Sequence, residues 1–294
     1  MLRLLPLLLL GACAMSSSQP TLMRWDDLTN RVRPAADETV AYGSAPEQKV
    51  DLWRPAGPGP HPVVLMVHGG CWQTDIADRT LMDWVAADLR AHGIAVWNID
   101  YRGVDRPGGG YPGTFTDVAA AADLLGREAG RLGLDASHVV AVGHSAGGHL
   151  ALWLAARKRL PADSSLRTPS PPLPLAGVIS LGGLPDLEAT AASPDNGCGT
   201  EVVRRLVGKG RRDPFADTSV PRLLPLGVPQ HLVNGREDRI IPWRLAAGYR
   251  DQARAAGDAV TLHEVPRTGH VELVAPDSAA WATTRRLIQQ ALAS

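Results

Sequence analysis

The segment Gly143-His144-Ser145-Ala146-Gly147-Gly148-His149 constrains this chain more than any other. An apolar run, Val139 to Val142, leads into it, and an alanine- and leucine-rich run, Leu150 to Ala156, leads out. The order is strand, tight turn, helix, with a serine at the apex. Gly-x-Ser-x-Gly in that setting predicts a nucleophile elbow, whose strained turn projects the hydroxyl from the sheet. The chemistry accounts for the glycines, since side chains at Gly143 and Gly147 would collide with the neighbouring strand and helix. The helix that follows aims backbone N–H groups at the site, where they favour developing negative charge. The competing reading is a glycine-rich turn with a merely exposed serine, and the flanking strand and helix weigh against it.

An elbow serine needs a base, an orienting acid and an oxyanion hole, and in such chains the acid and then the histidine follow the serine. Four histidines follow Ser145: His149, His231, His263 and His270. His149 lies on the elbow helix, too close in sequence to reach over the serine. His231 and His263 sit inside runs that read as strands. His270 follows the turn Pro266-Arg267-Thr268-Gly269, directly after the strand expected at Val260 to Val265, and is the expected base. The acid belongs on the loop after the preceding strand, Gln230 to Val233, where Glu237 and Asp238 both qualify. The second half of the oxyanion hole belongs after the strand Pro62 to Val67, where His68-Gly69-Gly70-Cys71-Trp72 follows. Two glycines let backbone approach a substrate closely. The expected donors are the N–H groups of Ala146, Gly70 and Cys71, with His68 bracing the loop.

His-Gly-Gly-x-Trp, Gly-His-Ser-Ala-Gly-Gly-His-Leu, the Asp238 loop and the Gly269-His270 pair resemble the α/β-hydrolase serine esterases. Within these the chain is most similar to the subgroup with kynurenine formamidase-like and feruloyl-esterase-like enzymes. The resemblance runs from about Val50 to near the C-terminus and is specific for fold and serine mechanism, not for substrate. It favours Asp238 over Glu237, because relatives carry Gly-x-x-Asp-x-x-x-Pro in this loop. One departure is Cys71, where the formamidases more often carry tyrosine or alanine.

The 294 residues fit one domain of this class, with 45% apolar residues for its core. Alternating strand and helix patterns predict a mostly parallel sheet covered on both faces. Strands are expected at Gln48 to Arg54, Ile94 to Tyr101 and Leu175 to Leu181 as well, and helices at Thr116 to Ala129 and Ala275 to Leu292. Pro185 to Pro225, with a helical stretch at Glu201 to Val207, reads as a small cap. Trp72, Asp105 to Gly113 and this cap are expected to shape the pocket. A formal net charge of zero gives no basic patch for nucleic acid. No histidine–cysteine spacing points to a metal, and the mechanism needs no cofactor.

Residues 1–20 read as a targeting segment and tether, leaving 21–294 as the catalytic domain. Arg3 precedes a short apolar stretch, Leu4 to Leu10, too short to span a bilayer as a helix. Leu10-Gly11-Ala12-Cys13 resembles a bacterial lipobox, which predicts lipidation at Cys13 and a membrane-anchored periplasmic protein. An ordinary cleavage site near Ala12–Ala14 would give a soluble exported protein. Setting Cys13 aside leaves Cys71 and Cys198, an even pair expected to form a disulfide in an oxidising compartment.

The expected function is hydrolysis of a small-molecule carboxylic ester by Ser145, Asp238 and His270 through an acyl-enzyme. Three readings compete. An arylformamidase-like amide hydrolase shares every motif, but tryptophan breakdown is cytosolic and the export signal counts against it. A prolyl-oligopeptidase-type peptidase would usually carry a propeller. A catalytically inactive hydrolase fold serving as a binding module would not need a full triad and oxyanion loop. The sequence names neither the acyl nor the alcohol group, nor the oligomeric state.

Overall fold

The computed structural model describes residues 21–293, so Cys13 and the expected leader lie outside the described residues. A short helix, α1 (Trp25–Thr29), precedes the strands β1 (Glu38–Ala41), β2 (Lys49–Trp53) and β3 (His61–Val67). Then come α2 (Asp83–Ala91), β4 (Ala95–Ile99), α3 (Gly113–Leu132), β5 (Leu134–His144), α4 (Ala146–Ala156) and β6 (Leu175–Leu181). The chain continues through α5 (Leu187–Ala192), α6 (Thr200–Val207), β7 (Gln230–Gly235), α7 (Trp243–Ala255), β8 (Val260–Val265) and α8 (Ala279–Leu292). The eight strands form one sheet in the order β1-β2-β4-β3-β5-β6-β7-β8. β1 and β2 pair antiparallel, as do β2 and β4, and every other pairing is parallel.

Burial on both faces explains the unbroken apolar runs of the central strands. Successive side chains of a strand point to opposite faces. Val63, Leu65 and Val67 accordingly join one core, while Val64 and Met66 join the other. Val139 and Ala141 of β5 divide from Val140 and Val142 in the same way. The first core packs under α3 and α4, with Leu125, Leu150 and Trp153 fully buried, and the second under α2 and α8, with Leu89, Trp281 and Ile288.

Local signals set the helix ends. α3 stops at Gly133, whose φ of 68° is the left-handed conformation that closes helices. α8 starts at Ser278, whose hydroxyl accepts the Trp281 N–H at 2.9 Å. It begins four residues later than the sequence pattern predicts, because Glu272–Val274 form a separate 3₁₀ turn.

The register brings the functional loops together. Val67 of β3 lies beside Gly143 of β5, His144 beside Leu181 of β6, and Gly235 of β7 beside Val265 of β8. The loops bearing Gly70, Ser145, Asp238 and His270 thus all leave from the carboxyl ends of parallel strands, where open α/β sheets bind their ligands. Among the described residues no helix is long and apolar enough to cross a membrane.

Candidate active site

Ser145 stands between β5 and α4 with φ 54° and ψ −121°, a conformation that costs an L-residue about 1–3 kcal/mol. Its surroundings enforce it. The Ser145 N–H donates to the Leu181 carbonyl at 2.8 Å, pinning the turn to the end of β6. A Cβ on Gly143 would meet the Gly147 carbonyl oxygen at 2.0 Å, and one on Gly147 would meet that of Val67 at 2.2 Å. Both contacts are with backbone, so neither position can admit a side chain without moving the elbow.

His270 and Asp238 meet across adjacent loops. Nδ1 of His270 lies 2.6 Å from Oδ2 of Asp238, and both side chains are buried. The other oxygen, Oδ1, accepts the N–H groups of Ile240 at 2.8 Å and Ile241 at 2.9 Å, which fixes the carboxylate within its own loop. Glu237 points elsewhere: its Oε2 accepts the Thr268 N–H at 3.1 Å and so braces the histidine loop. Of the two acids, only Asp238 reaches His270.

Ser145, His270, Gly70 and Cys71 line one cavity of about 340 Å³, walled also by Trp25, Ile76, Leu81 and Ile240. Ala146 opens α4, so its N–H belongs to the helical turn without an internal acceptor. Among the described residues the N–H groups of Gly70 and Cys71 have no intramolecular acceptor either. Three unused donors therefore cluster around the serine, as an oxyanion site requires.

The loop after β3 is held rigidly. The His68 ring nitrogens sit 2.6 Å from the Gly69 carbonyl and 3.0 Å from Asp100 Oδ1, and the ring stacks on Tyr101 at 4.3 Å. Cys71, at φ 52°, is joined by a disulfide to Cys198 with Cα atoms 5.3 Å apart. Cys198 precedes α6 in the cap segment, and its neighbour Gly197 lines the cavity. The cap segment is therefore bonded to the candidate oxyanion loop.

Two expected pocket-shaping features have another role. Trp72 does not line the cavity; it is fully buried beneath it, and its Nε1–H donates to His149 Nδ1 at 3.2 Å. The positive φ of Cys71 and Trp72, 52° and 56°, turns the indole into the core. The Asp105 to Gly113 loop also stays off this cavity. Its Asp105 carboxylate accepts the Thr74 and Asp75 N–H groups at 2.9 and 2.8 Å, bracing the chain that follows the candidate oxyanion loop.

The remaining histidines separate by environment. His149 is buried with Nε2–H donating to the Thr218 carbonyl at 2.8 Å, and burial pushes its pKa down to about 4. His231 and His263 pair with each other on β7 and β8, ring nitrogens 3.2 Å apart, away from the cavity.

His144 has a role at the site that its sequence position does not signal. Its Nε2–H donates to the His270 carbonyl at 3.3 Å, and the two rings stand 4.5 Å apart. Burial, reinforced by the positive charge His270 can carry, holds its pKa well below the usual histidine range. A neutral His144 adds no charge to oppose an imidazolium at His270. Trp25 is the other missed residue: its indole stands edge-on to both rings, at 6.1 Å from His144 and 6.3 Å from His270. No local pattern could have found it, because the contact closes over 245 residues of chain. Among the described residues no group of three His, Cys, Asp or Glu could hold a metal ion.

Comparison with known proteins adds to this geometry. The family model BD-FAE matches residues 50–249. A Mycobacterium tuberculosis protein described as "Probable carboxylic ester hydrolase LipM" is 27% identical over 254 residues, covering 80% of this chain and 56% of its own length. Carboxylesterase NlhH, also of Mycobacterium tuberculosis, is 34% identical over 125 residues, 40% of this chain and 37% of that protein. The chain thus spans about half the length, or less, of the curated relatives it matches. A truncated carbohydrate esterase from gut microbiota superposes with a TM-score of 0.74 at 19% identity, covering 89% of this chain and 100% of that one. At such identity the likeness is one of fold, and the fold is that of the α/β-hydrolases.

Proposed function

The chain belongs to the BD-FAE family, and from that premise we propose that it is a serine hydrolase that cleaves carboxylic esters through an acyl-enzyme intermediate. One observation carries the reading: a strained elbow serine shares a cavity with a buried histidine whose Nδ1 is held at 2.6 Å by a buried aspartate. The two matched mycobacterial proteins, both named as ester hydrolases, support the choice of ester as substrate.

In this mechanism Ser145 Oγ attacks the ester carbonyl while His270 Nε2 takes the hydroxyl proton. Asp238 keeps the other imidazole proton on Nδ1 and stabilises the imidazolium. The carbonyl oxygen becomes an oxyanion bound by the N–H groups of Gly70, Cys71 and Ala146. Each such donor is worth about 2.7–4 kcal/mol in the barrier. Collapse breaks the ester C–O bond, and His270 returns its proton to the leaving alkoxide. Water then attacks the acyl-serine by the same route, with His270 as base, releasing the acid and restoring Ser145.

Turnover of short-chain, aryl and feruloyl esters beside N-formylkynurenine tests this reading. An ester should be the best substrate. A formyl amide turned over faster than every ester would establish the formamidase reading in its place.

The same proposal extends to location. The Leu10-Gly11-Ala12-Cys13 segment supports an exported protein anchored through lipid on Cys13. Cys13→Ser should abolish metabolic lipid labelling; equal labelling of the variant would leave soluble export.

A further inference from the structure

Two cavities meet at His270. The first, about 340 Å³, contains Ser145 and the candidate oxyanion loop and is otherwise largely apolar, with Ile76, Ala77 and Leu81 among its walls. The second, about 490 Å³, touches neither Ser145 nor that loop and is lined by Met23, Arg24, Asp26, Arg239 and Val271. Three residues border both: His270, Ile240 and Trp25.

Trp25 reaches this seam on a strap that crosses the histidine loop before β1 begins. One buried carboxylate fastens it. Glu272 Oε1 accepts the Met23 N–H at 2.6 Å, and Oε2 accepts the Gly269 N–H at 2.9 Å, one residue before His270. Further on, Leu28 is fully buried and Arg31 pairs with Asp277 at 2.9 Å. The indole is thus anchored on both sides, edge-on to His270 with an interplanar angle of 83°.

We propose that Trp25 is a specificity-determining residue, partitioning the site into an acyl chamber and a leaving-group chamber. The inference rests on the ester-hydrolase reading. The acyl carbon is bonded to Ser145 Oγ in the intermediate, and its oxygen faces Gly70 and Cys71, so the acyl substituent occupies the first chamber. The leaving oxygen must meet His270 to receive its proton. The alcohol portion therefore extends into the second chamber, past Arg24 and Arg239. The indole at the seam walls the acyl chamber off from the second on the His270 side, which limits how far an acyl chain can extend and so favours esters of compact apolar acids. Packed interiors do not refill a lost side chain freely, so removing the indole should join the two spaces.

The test is kcat/KM for p-nitrophenyl acetate, butyrate and octanoate with the full chain, in wild type, Trp25→Phe and Trp25→Ala. Wild type should prefer butyrate to octanoate at least about tenfold. Trp25→Ala should lose rate on butyrate, since the indole also packs on His270, yet its octanoate-to-butyrate ratio should rise about tenfold or more. Trp25→Phe should keep most of the wild-type ratio. A merely structural role would lower all three esters together, and an unmoved ratio in Trp25→Ala overturns the partition. Should Trp25→Ala fail to fold, Trp25→Leu must move the ratio in the same direction, and an unmoved ratio there overturns it equally. A fluorophosphonate probe separates the two levels of failure. Wild type that neither labels nor hydrolyses any ester ends the ester-hydrolase reading and this inference with it. A labelled, active variant with an unmoved ratio ends this inference alone.

Discussion

Asp238 holds His270 with one oxygen and its own loop with the other: Oδ2 lies 2.6 Å from Nδ1, while Oδ1 takes the N–H groups of Ile240 and Ile241. The carboxylate therefore cannot rotate away from the imidazole without surrendering two backbone bonds. Asp238→Asn should keep the fold and lower kcat by about 10⁴-fold, because an amide there favours the wrong tautomer. Glu237→Gln retains an acceptor for the Thr268 N–H and should change kcat by no more than a few fold. Steady-state kinetics of the two variants settle the assignment, which reverses if Glu237→Gln is the crippled one.

The disulfide should couple stability to activity. Cys71 and Cys198 are 127 residues apart, and closing a loop of that size stabilises by about 5 kcal/mol from chain entropy alone. The double variant Cys71→Ser/Cys198→Ser should melt at lower temperature. It should also lose kcat, since Cys71 supplies one candidate oxyanion donor. Wild type with reductant should match it. Equal melting temperatures for variant and wild type would show that the bridge carries no stability.

Acid should destabilise the protein progressively as pH falls from 6.5 towards 4. The His149 pKa is depressed to about 4, so the unfolded chain binds a proton in this range that the folded chain refuses. Its contribution is present above pH 6.5 and is lost as pH falls towards 4, reaching roughly 3 kcal/mol. His144, depressed for the same reason of burial, acts in the same direction. His149→Gln, which can still accept from Trp72, should flatten denaturant midpoints between pH 6.5 and 4. An unchanged slope would remove His149 from the account.

The elbow should reject a methyl group. Gly147→Ala would drive its Cβ to 2.2 Å from the Val67 carbonyl oxygen, and that strand cannot retreat because β4 and β5 flank it. Loss of soluble protein, or destabilisation of about 3 kcal/mol or more, is expected. A soluble, active Gly147→Ala enzyme would refute the close approach.

The candidate site was largely legible because the residues that form it are grouped in short local segments. Ser145 sits in a seven-residue segment, and Asp238 and His270 each follow a recognisable apolar strand. What escaped was assembled by tertiary contact. α2 was missed although Trp84, Val85 and Leu89 are buried along it, because no cap residue or long apolar run announces it. The edge strand β1 is four residues and mostly exposed, so it lacks the alternation that marks a half-buried strand. Trp72 is expected to shape the pocket, yet its indole turns into the core, because the direction of a side chain depends on a backbone φ, here 56°, that sequence does not reveal. Trp25 lay furthest from reach, since its neighbours His144 and His270 are brought to it only by the finished sheet.

The most direct measurement is mass spectrometry of the full chain after reaction with a fluorophosphonate. One adduct per chain should form, on the peptide containing Ser145, and Ser145→Ala should form none. His270→Ala should label far more slowly, because the serine then lacks its base. Absence of an adduct on wild type, or an adduct on another residue that persists in Ser145→Ala, would contradict the assignment of Ser145 as the activated nucleophile.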